Sequence, residues 1–419
     1  MHTLPQVTAA PRILDRAAPP AANPGASYLE PAPATEAFRA GPEFVVELAT
    51  SRVADPAFQA TWRALVAASD SPQKIYQSPE FFRFLSDSCQ DGSCLEVLAL
   101  VRLRDAAIVG VVPVRVGSKE LNFNIGPVSL YRARVEIISL LGSIPAAPLG
   151  ESAVEFLATQ LLVRFPAARA VFSQALPMES THWKNLAAMA GRRELATALL
   201  GGWRACHTMP LPATFDGYLA KLSSKKRYNL NRQLRVLGEQ LGPLQLTRVE
   251  RAEQVPAMMR ALQSLMLPSE LATLLGVAAL TSLAHNNLLL CYVLHAGEQV
   301  IAAVVGTRSP DTLHIHNIFD ERKHLALSVG TSAMHLAIKD LVELGYVRAI
   351  DFGYGTPRHE FRSSHLLETR AQVLVYNRMK AVSLLFFVHG VFFHASEALI
   401  GMVKSVRNTA RALRQMFVA

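Results

Sequence analysis

The chain has 419 residues, of which 50% are hydrophobic and only 18% are charged. This composition excludes a generally disordered protein and is typical of an enzyme-like protein with large cores, most simply arranged as two domains. The formal net charge of +9 favours anionic partners such as phosphates, acidic lipids or nucleic acid, but it does not choose among them.

The sequence carries no signal that predicts secretion or a membrane span. Residues 1–40 are rich in Ala and Pro and lack the basic and apolar regions of a secretory signal. The nearest apolar stretch, residues 381–393, contains His389 and Gly390 and is shorter than the roughly 20 residues that span a bilayer. The four cysteines form no CxxC pair and are too few for a disulfide-stapled domain. We therefore expect a disordered leader and a cytoplasmic protein.

In the first half of the chain, two predicted helices precede a predicted β-meander. Asp55-Pro56 starts an apolar pattern of helical spacing, which predicts an amphipathic helix. Its apolar positions are Phe58, Trp62, Leu65 and Val66. Ser78-Pro79 predicts the start of a second helix, with a serine cap and a proline at the first helical position. Residues 95–103 and 108–116 then predict two strands, with a turn at residues 117–119.

The second half repeats this arrangement. Three apolar strands are predicted between residues 288 and 319, which indicates an approximate internal duplication. Residues 328–344 predict a helix that Gly345 ends. A strand over residues 347–352 and another over residues 371–376 follow it. Between the halves, residues 201–212 are expected to be a connecting segment.

A basic segment opens a further predicted helix near Ser224, whose side chain can cap exposed backbone N–H groups. The helical spacing is that of Leu230, Leu234, Leu237 and Leu241. Arg227 falls on the same face as these leucines, and a charge directed at a core needs an anion or carboxylate partner. The alternative is a solvated basic helix start.

Small residues begin the predicted helix in the second half. Ser328, Val329, Gly330 and Thr331 let backbone N–H groups approach a phosphate, and the helix dipole favours negative charge there. The alternative is an ordinary helix cap.

An acidic residue follows the next apolar strand. Asp351, then Gly353, Tyr354 and Gly355, stand at its carboxyl end, a frequent place for ligand contact in α/β sheets. The segment is not a dinucleotide fingerprint, because the third glycine and the following helix are absent. A turn with a capping aspartate is the alternative.

Two histidines alternate on one predicted strand, so His314 and His316 share a face. No Cys/His cluster supplies further ligands, and we expect no metal site. His316 is either a hydrogen-bonded core residue or a neutral base. No GxSxG elbow or assignable Cys/His pairing supports a covalent nucleophile.

Together these segments resemble the FemAB-like, CelD-type (cellulose-biosynthesis) group of GNAT acyltransferases, over residues 44–378. The segments that carry the resemblance are residues 77–82, 108–114, 140–143, 222–230, 319–320, 327–331 and 351–355. The resemblance implies an α/β fold with two GNAT-like modules, each a mixed β-sheet flanked by helices, packed together. The expected division is a disordered leader (1–41), an N-terminal module (42–205), a C-terminal acyltransferase module (206–380) and a helical segment (381–419).

The resemblance also implies the parts of a site that uses acyl-CoA, such as acetyl-CoA, as co-substrate and no metal. Residues 328–331 would lie near the pyrophosphate of CoA, with Arg227 also at the donor. The acceptor contacts would be Asp351, Gly353, Tyr354, Gly355 and Arg358. The catalytic base would be Asp320, His316 or His359, in no order. In the family an aromatic-lysine pair commonly follows the Asp-Phe-Gly segment, whereas here the matching stretch is Arg-His-Glu-Phe-Arg over residues 358–362.

The expected activity is transfer of an acyl group to an amine of a small molecule, a sugar or an envelope or polysaccharide precursor, without DNA as a partner. One alternative is an aminoacyl-tRNA-dependent FemAB-like transferase, for which tRNA would be a partner. Another is a non-catalytic scaffold in polysaccharide or envelope assembly. No RNP-like aromatic strand or GxxG loop indicates RNA binding.

The C-terminal segment, residues 381–419, is first apolar nearly all round and then basic and amphipathic. Its basic residues Lys404, Arg407, Arg411 and Arg414 recur every three or four positions. This pattern predicts a helix that docks on the inner face of a membrane or on a partner without spanning a bilayer. The alternative is a terminal helix packed on the second module.

Overall fold

The computed structural model describes residues 44–69, 71–88, 92–147, 150–189, 194–267, 271, 275–354 and 366–418. The predicted leader, residues 1–41, lies outside these ranges. The described strands form one twelve-stranded mixed sheet with helices on both faces, followed by a C-terminal helix. The α/β fold predicted from the sequence is confirmed.

The two halves of the chain repeat one strand topology. The first half supplies β1 (Phe44–Leu48), β2 (Cys94–Arg102), β3 (Ile108–Ile125), β4 (Val128–Leu140), β5 (Ala170–Pro177) and β6 (Leu195–Pro210). The second half supplies β7 (Leu244–Val249), β8 (Cys291–Ala296), β9 (Gln299–Arg308), β10 (Thr312–Asp320), β11 (Ala349–Tyr354) and β12 (Leu366–Asn377). In each half, four consecutive strands pair antiparallel and the fifth pairs parallel to the fourth. This repetition agrees with the predicted internal duplication.

The halves exchange their last strands at the centre of the sheet. The strand order is β1-β2-β3-β4-β5-β12-β6-β11-β10-β9-β8-β7, so β12 lies between β5 and β6, and β6 pairs with β11. The prediction of a connecting segment at residues 201–212 is therefore wrong over most of its length. Gly201 and Gly202 have positive φ and form an irregularity within β6, which a sequence pattern cannot distinguish from a loop. The boundary predicted between residues 205 and 206 falls inside this strand.

Helices cover both faces of the sheet. One face carries α1 (Pro56–Ala67), α2 (Pro79–Ser88), α7 (Val255–Leu265) and α8 (Val277–His285) over a core shared by both halves. The opposite face carries α3 (Glu151–Arg164) and α4 (Thr181–Met189) over the first half. Over the second half it carries α5 (Phe215–Ala220), α6 (Ser224–Leu241) and α9 (Val329–Leu344). Successive side chains of a strand point to opposite faces of the sheet and so pack in different cores. Val97, for example, lies in the shared core and Leu98 in the core on the opposite face.

The predicted helix starts are confirmed by their caps. Asp55 accepts a hydrogen bond from the backbone N–H of Ala57 at 2.9 Å, and Ser78 accepts one from Phe81 at 3.1 Å. The helix predicted near Ser224 begins there, but its cap is Ser223, which accepts from the backbone N–H of Lys226.

The turn predicted at residues 117–119 does not exist. Strand β3 continues through these residues to Ile125 and pairs with β4 along its length, whereas β2 pairs with β3 only as far as Val116. Residues 117–136 therefore extend beyond β2 and β5 as a two-stranded arm. Its buried side chains are Leu121, Phe123, Ala133 and Val135. Gly117 and Ser118 are residue types that favour a turn. The side chain of Lys119 is nevertheless buried, and its Nζ lies over the Phe172 ring, 4.1 Å from the ring centroid.

The C-terminal helix α10 (Val382–Val418) packs on this arm and on β12 through one stripe of side chains. Among the described residues, Val382–Val406 is long and apolar enough to cross a membrane by length and composition, with 17% of its apolar window buried. The sequence has no uninterrupted apolar run of this length, but His389 and Gly390 interrupt the segment without lowering its average hydropathy much. Docking on a membrane without spanning it stays a prediction.

Candidate functional site

The candidate site lies where β10 and β11 separate. These parallel strands pair only between Thr312–His314 and Ala349–Asp351, although β10 continues to Asp320. A register shift at His316 interrupts the pairing of β10 with β9 on its other side. The two strands thus open into a gap, which we call the fork, with His314 and Asp351 at its apex.

A buried polar cluster occupies the apex on the face of the sheet that carries α2. Asp351 is 4% exposed and accepts hydrogen bonds from the backbone N–H of Gly353 at 2.8 Å and from Nη1 of Arg370 at 2.7 Å. Nδ1 of His314 lies 3.6 Å from the same carboxylate. The ring of Tyr76 packs against the His314 ring, with centroids 5.4 Å apart.

Both halves of the chain build this cluster. Tyr76 belongs to a 3-10 helix of the first half, Lys74–Gln77, and Lys74 forms an ion pair with Asp311 just before β10, at 3.7 Å. Arg370 comes from β12, and its side chain reaches across β6 to Asp351 on β11. The cluster therefore depends on the exchange of strands between the halves.

Sequence reasoning missed Arg370 and Tyr76. For Arg370 a signal existed: Glu368 and Arg370 alternate at the start of an otherwise apolar strand, and in the structure the Arg370 guanidinium lies 2.6 Å from Glu368. No pattern in the sequence marks Tyr76, because its neighbour His314 is more than 200 residues away.

The charges in the cluster stabilise one another. Burial alone raises the pKa of Asp351, but the neighbouring His314 and the Arg370 guanidinium hold that pKa well below its usual range. Burial opposes the charge of Arg370, yet Asp351 and Glu368 raise the pKa of this guanidinium. Burial, reinforced by Asp351, raises the pKa of Tyr76 above its usual range. At ordinary pH the cluster therefore holds an ionised Asp351, a protonated Arg370 and a neutral Tyr76.

The two ring nitrogens of His314 differ. Nδ1 faces the Asp351 carboxylate at 3.6 Å, on the side of the ring away from Nε2. Nε2 is buried and has no hydrogen-bond partner among the described residues. A proton on Nδ1, directed at the carboxylate, would leave the lone pair on Nε2.

The predicted base His316 lies on the same face but in a different environment. Its Nε2 lies 2.7 Å from the Thr307 hydroxyl of β9. Burial, together with the neighbouring His314, lowers the pKa of His316 to about 4. Its interior position agrees with the hydrogen-bonded core role that the sequence left open, and a role as base stays a prediction.

The start of α9 lies against the far end of β10. A Cβ on Gly330 would stand 3.3 Å from Ile318 Cγ2 and 3.4 Å from Asp320 Oδ2, so the helix start and Asp320 adjoin. Ser328 has a left-handed φ of 54°, and its side chain makes no cap. The hydroxyl of Ser332, one turn into the helix, is buried without a partner in the described part of the chain. The structure thus places Asp320 beside Gly330 at the start of α9, and a role of these residues in a donor cleft stays a prediction.

The structure describes only some of the other predicted site residues. Arg227 is half-buried and donates to the carbonyl of Leu219 at 3.3 Å and to the Ser224 hydroxyl at 3.2 Å. Gly353 has a positive φ and donates to Asp351, whereas burial raises the pKa of Tyr354. Gly355, Arg358 and His359 lie outside the described residues. Among the described residues, no group of three or more His, Cys, Asp or Glu side chains is placed to hold a metal ion.

Comparison with known families finds one match in this second half. Residues 224–360 match the family described as an acetyltransferase (GNAT) domain. The match covers α6 to the end of β11, and therefore the fork and the start of α9. This part of the chain is thus similar to a GNAT-type acetyltransferase domain.

Several solved structures are similar to this chain in fold. The crystal structure of FemX has 9% sequence identity and a TM-score of 0.55, covering 78% of this chain and 98% of that chain. A tandem GNAT protein from the clavulanic acid biosynthesis pathway has 11% identity and a TM-score of 0.48, covering 81% and 100%. L-PGS from Bacillus licheniformis has 10% identity and a TM-score of 0.45, covering 81% and 97%.

At these identities the likeness concerns the fold alone. The FemX likeness agrees with the FemAB-like part of the predicted resemblance, whereas the CelD-type grouping stays a prediction. No curated protein sequence matches the chain significantly.

Proposed function

We propose that the chain is an N-acyltransferase that moves an acyl group from acyl-CoA, such as acetyl-CoA, to an amine of a small molecule, a sugar or an envelope or polysaccharide precursor. The observation that carries the proposal is the match of residues 224–360 to an acetyltransferase domain whose described part contains the fork. Where a strand leaves its neighbour, its backbone N–H groups are free to stabilise an oxyanion without any signature side chain.

The start of α9 supports a donor site. The helix N-terminus favours the negative charge of a pyrophosphate, and Gly330 keeps side-chain bulk away from it. The unpartnered Ser332 hydroxyl offers a further donor. The carboxylate of Asp320 beside Gly330 would repel an anion, so we assign no phosphate contact to Asp320.

The reaction requires three events. The neutral amine attacks the thioester carbonyl and forms a C–N bond, the C–S bond of the tetrahedral intermediate breaks, and the amine proton is finally carried to the CoA thiolate. A base on the acceptor side would take the amine proton, and N–H donors on the strand edge would stabilise the tetrahedral oxyanion. These events need no metal.

Calorimetry with acetyl-CoA and longer acyl-CoAs tests the proposal, with dephospho-CoA and coenzyme-free buffer as controls. We expect binding of at least one acyl-CoA, and the preferred chain length would narrow the range of acceptors. If no acyl-CoA binds to the folded protein, the donor is not acyl-CoA and the scaffold alternative is favoured.

An aminoacyl-tRNA-dependent transferase is the second candidate, favoured by the fold likeness to FemX. It predicts binding to tRNA that weakens steeply with salt, because phosphate contacts release counterions. Binding of charged tRNA that is tighter than binding of any acyl-CoA would reverse the order of the two candidates.

We also propose that α10 holds the protein at the inner, cytoplasmic face of an anionic membrane. Its outward stripe exposes Leu384 and Phe387 (66% each) and Val391 (53%). Tyr131, at the tip of the arm, is 62% exposed and packs on Phe123, which also contacts Phe392 of α10. The arm and the packed face of the helix are thus joined through Phe123 and Phe392, and both elements expose further apolar side chains.

The second part of α10 carries the positive charge that an anionic membrane surface would attract. Its basic residues Lys404, Arg407, Arg411 and Arg414 follow the apolar part, and each basic group near anionic lipid contributes about 1 kcal/mol. Flotation with phosphatidylglycerol vesicles, with phosphatidylcholine vesicles as control, tests the proposal on the full chain. Release by high salt supports surface docking, whereas retention after alkaline carbonate extraction would show that the helix inserts.

A further inference from the structure

One buried ring nitrogen in the fork lacks a partner among the described residues. Nε2 of His314 is buried without a hydrogen bond there, although buried polar atoms are nearly always paired. His314 itself is 4% exposed. Nδ1 of His182 also lacks a partner in the described structure, so the case for a bound molecule at His314 rests on its place in the fork.

The surroundings prepare this atom to accept a proton. Asp351 lies 3.6 Å from Nδ1 of His314, and Arg370 together with Gly353 fixes the carboxylate by hydrogen bonds. A proton on Nδ1 would face this carboxylate and leave the lone pair on Nε2. An imidazolium formed at His314 would face the ionised Asp351 at 3.6 Å.

The position of His314 fits the meeting point of donor and acceptor. It is the last residue of β10 that pairs with β11, whereas Ile318, which adjoins Gly330, lies four residues further along β10. At about 3.3 Å per residue, that is about 13 Å of strand. An elongated thioester whose phosphates lie at the start of α9 can thus reach the apex with its acyl end.

The acceptor can approach the apex from one face only. On the opposite face, Leu313 and Ile350 point into the fully packed core beneath α9. On the near face the described neighbour of His314 is Tyr76, which the ion pair between Lys74 and Asp311 holds over β10. The first half of the chain therefore contributes a wall of the acceptor site.

The internal duplication supplies a comparison within the same chain. The parallel pairing of β4 with β5 ends at Ser139 and Phe172, the positions that correspond to His314 and Asp351. This first fork has no titratable pair at its apex. The histidine and carboxylate are thus specific to the half that matches the acetyltransferase family.

We propose that His314, oriented by Asp351, is the base that takes the proton from the acceptor amine. As the C–N bond forms, an N–H proton of the acceptor moves to Nε2. The other ring proton stays on Nδ1 and faces Asp351. The C–S bond then breaks, and the imidazolium returns the proton to the CoA thiolate, so His314 ends neutral. This inference rests on the proposed acyl-transfer function.

The test compares His314→Asn with His182→Asn. Asparagine can still donate to Asp351 but cannot take a proton, and His182 is a buried histidine of α4 whose Nδ1 also lacks a partner in the described structure. Acetyl-CoA binding is measured first by calorimetry. Thiol release from acetyl-CoA is then followed against pH with glucosamine, lysine and ethanolamine as probe amines.

We expect His314→Asn to bind acetyl-CoA as the wild type does and to lose about 10²- to 10⁴-fold in turnover, together with the acidic limb of the pH profile. His182→Asn should keep both. Wild-type turnover and pH profile in His314→Asn would overturn the inference, whereas absence of acetyl-CoA binding in the wild type would overturn the proposed function instead.

Nitrogen-15 NMR of the histidine rings gives a reading that needs no turnover. We expect the His314 signal, assigned by its loss in His314→Asn, to show Nδ1 protonated and Nε2 unprotonated at neutral pH. A proton on Nε2 would overturn the inference whatever the probe amines show.

Discussion

Arg370 donates a 2.7 Å hydrogen bond to Asp351 although strand β6 lies between their strands. Both side chains are buried, at 1% and 4% exposure. Because an unpaired buried carboxylate is costly, we expect Arg370→Leu to lower the free energy of unfolding by about 3–5 kcal/mol. Urea denaturation measures this loss.

Arg204→Leu is the matched control, since Arg204 is the exposed cross-strand neighbour of Arg370 on β6. It should change stability by less than about 0.5 kcal/mol. Equal losses in the two variants would show that the Arg370–Asp351 pair does not hold the halves together.

The buried Lys119 leads us to expect that the stability of the protein depends on pH. Burial lowers its pKa to about 8, so between about pH 8 and pH 10 the unfolded chain binds a proton that the folded protein does not. Stability should therefore rise with pH through this window. Lys119→Met should remove the rise and stabilise the protein at pH 7 by about 1–3 kcal/mol.

Lys184→Met, at an exposed lysine, should keep the rise in stability seen in the wild type. Thermal or urea unfolding at pH 7, 8, 9 and 10 measures all three proteins. An unchanged pH dependence in Lys119→Met would place the titrating group elsewhere.

Gly330→Val tests the donor site at the start of α9. The new side chain would press on Ile318 and Asp320 and block approach to the helix start, so we expect acetyl-CoA affinity to fall at least about tenfold. The overpacking should also cost about 1–3 kcal/mol of stability. Gly238→Val in α6 is the control, because a side chain there meets open space. Unchanged donor affinity in folded Gly330→Val would remove this helix start from the site.

Two adjacent phenylalanines separate the packing role of α10 from its proposed membrane role. Phe386 is 2% exposed in the core under α10, whereas Phe387 is 66% exposed. We expect Phe386→Ala to lose about 3–5 kcal/mol of stability. Phe387→Ala should stay within about 0.5 kcal/mol and should reduce flotation with phosphatidylglycerol vesicles. If Phe387→Ala floats as the wild type does, the outward stripe does not contact lipid.

Much of the local structure could be predicted because its causes lie within a few residues. Asp55, Ser78 and Ser223 cap helices by accepting from N–H groups two or three positions away, so their patterns predict where those helices begin. The repeated order of strands was visible for the same reason. Local patterns failed where the partner is distant, as at residues 117–119, which β4 and α10 keep extended.

The sequence by itself therefore determined several helix starts, the duplication of the strands and the segment that matches the acetyltransferase family. Only the tertiary structure decided which residues meet in the fork. His314 was identified as one of two histidines on a strand, but its pairing with Asp351, its contact with Tyr76 and the reach of Arg370 follow from strand exchange between the halves. These contacts join residues far apart in the chain, and long-range packing, rather than any short-range hydrogen bond or propensity, brings them together.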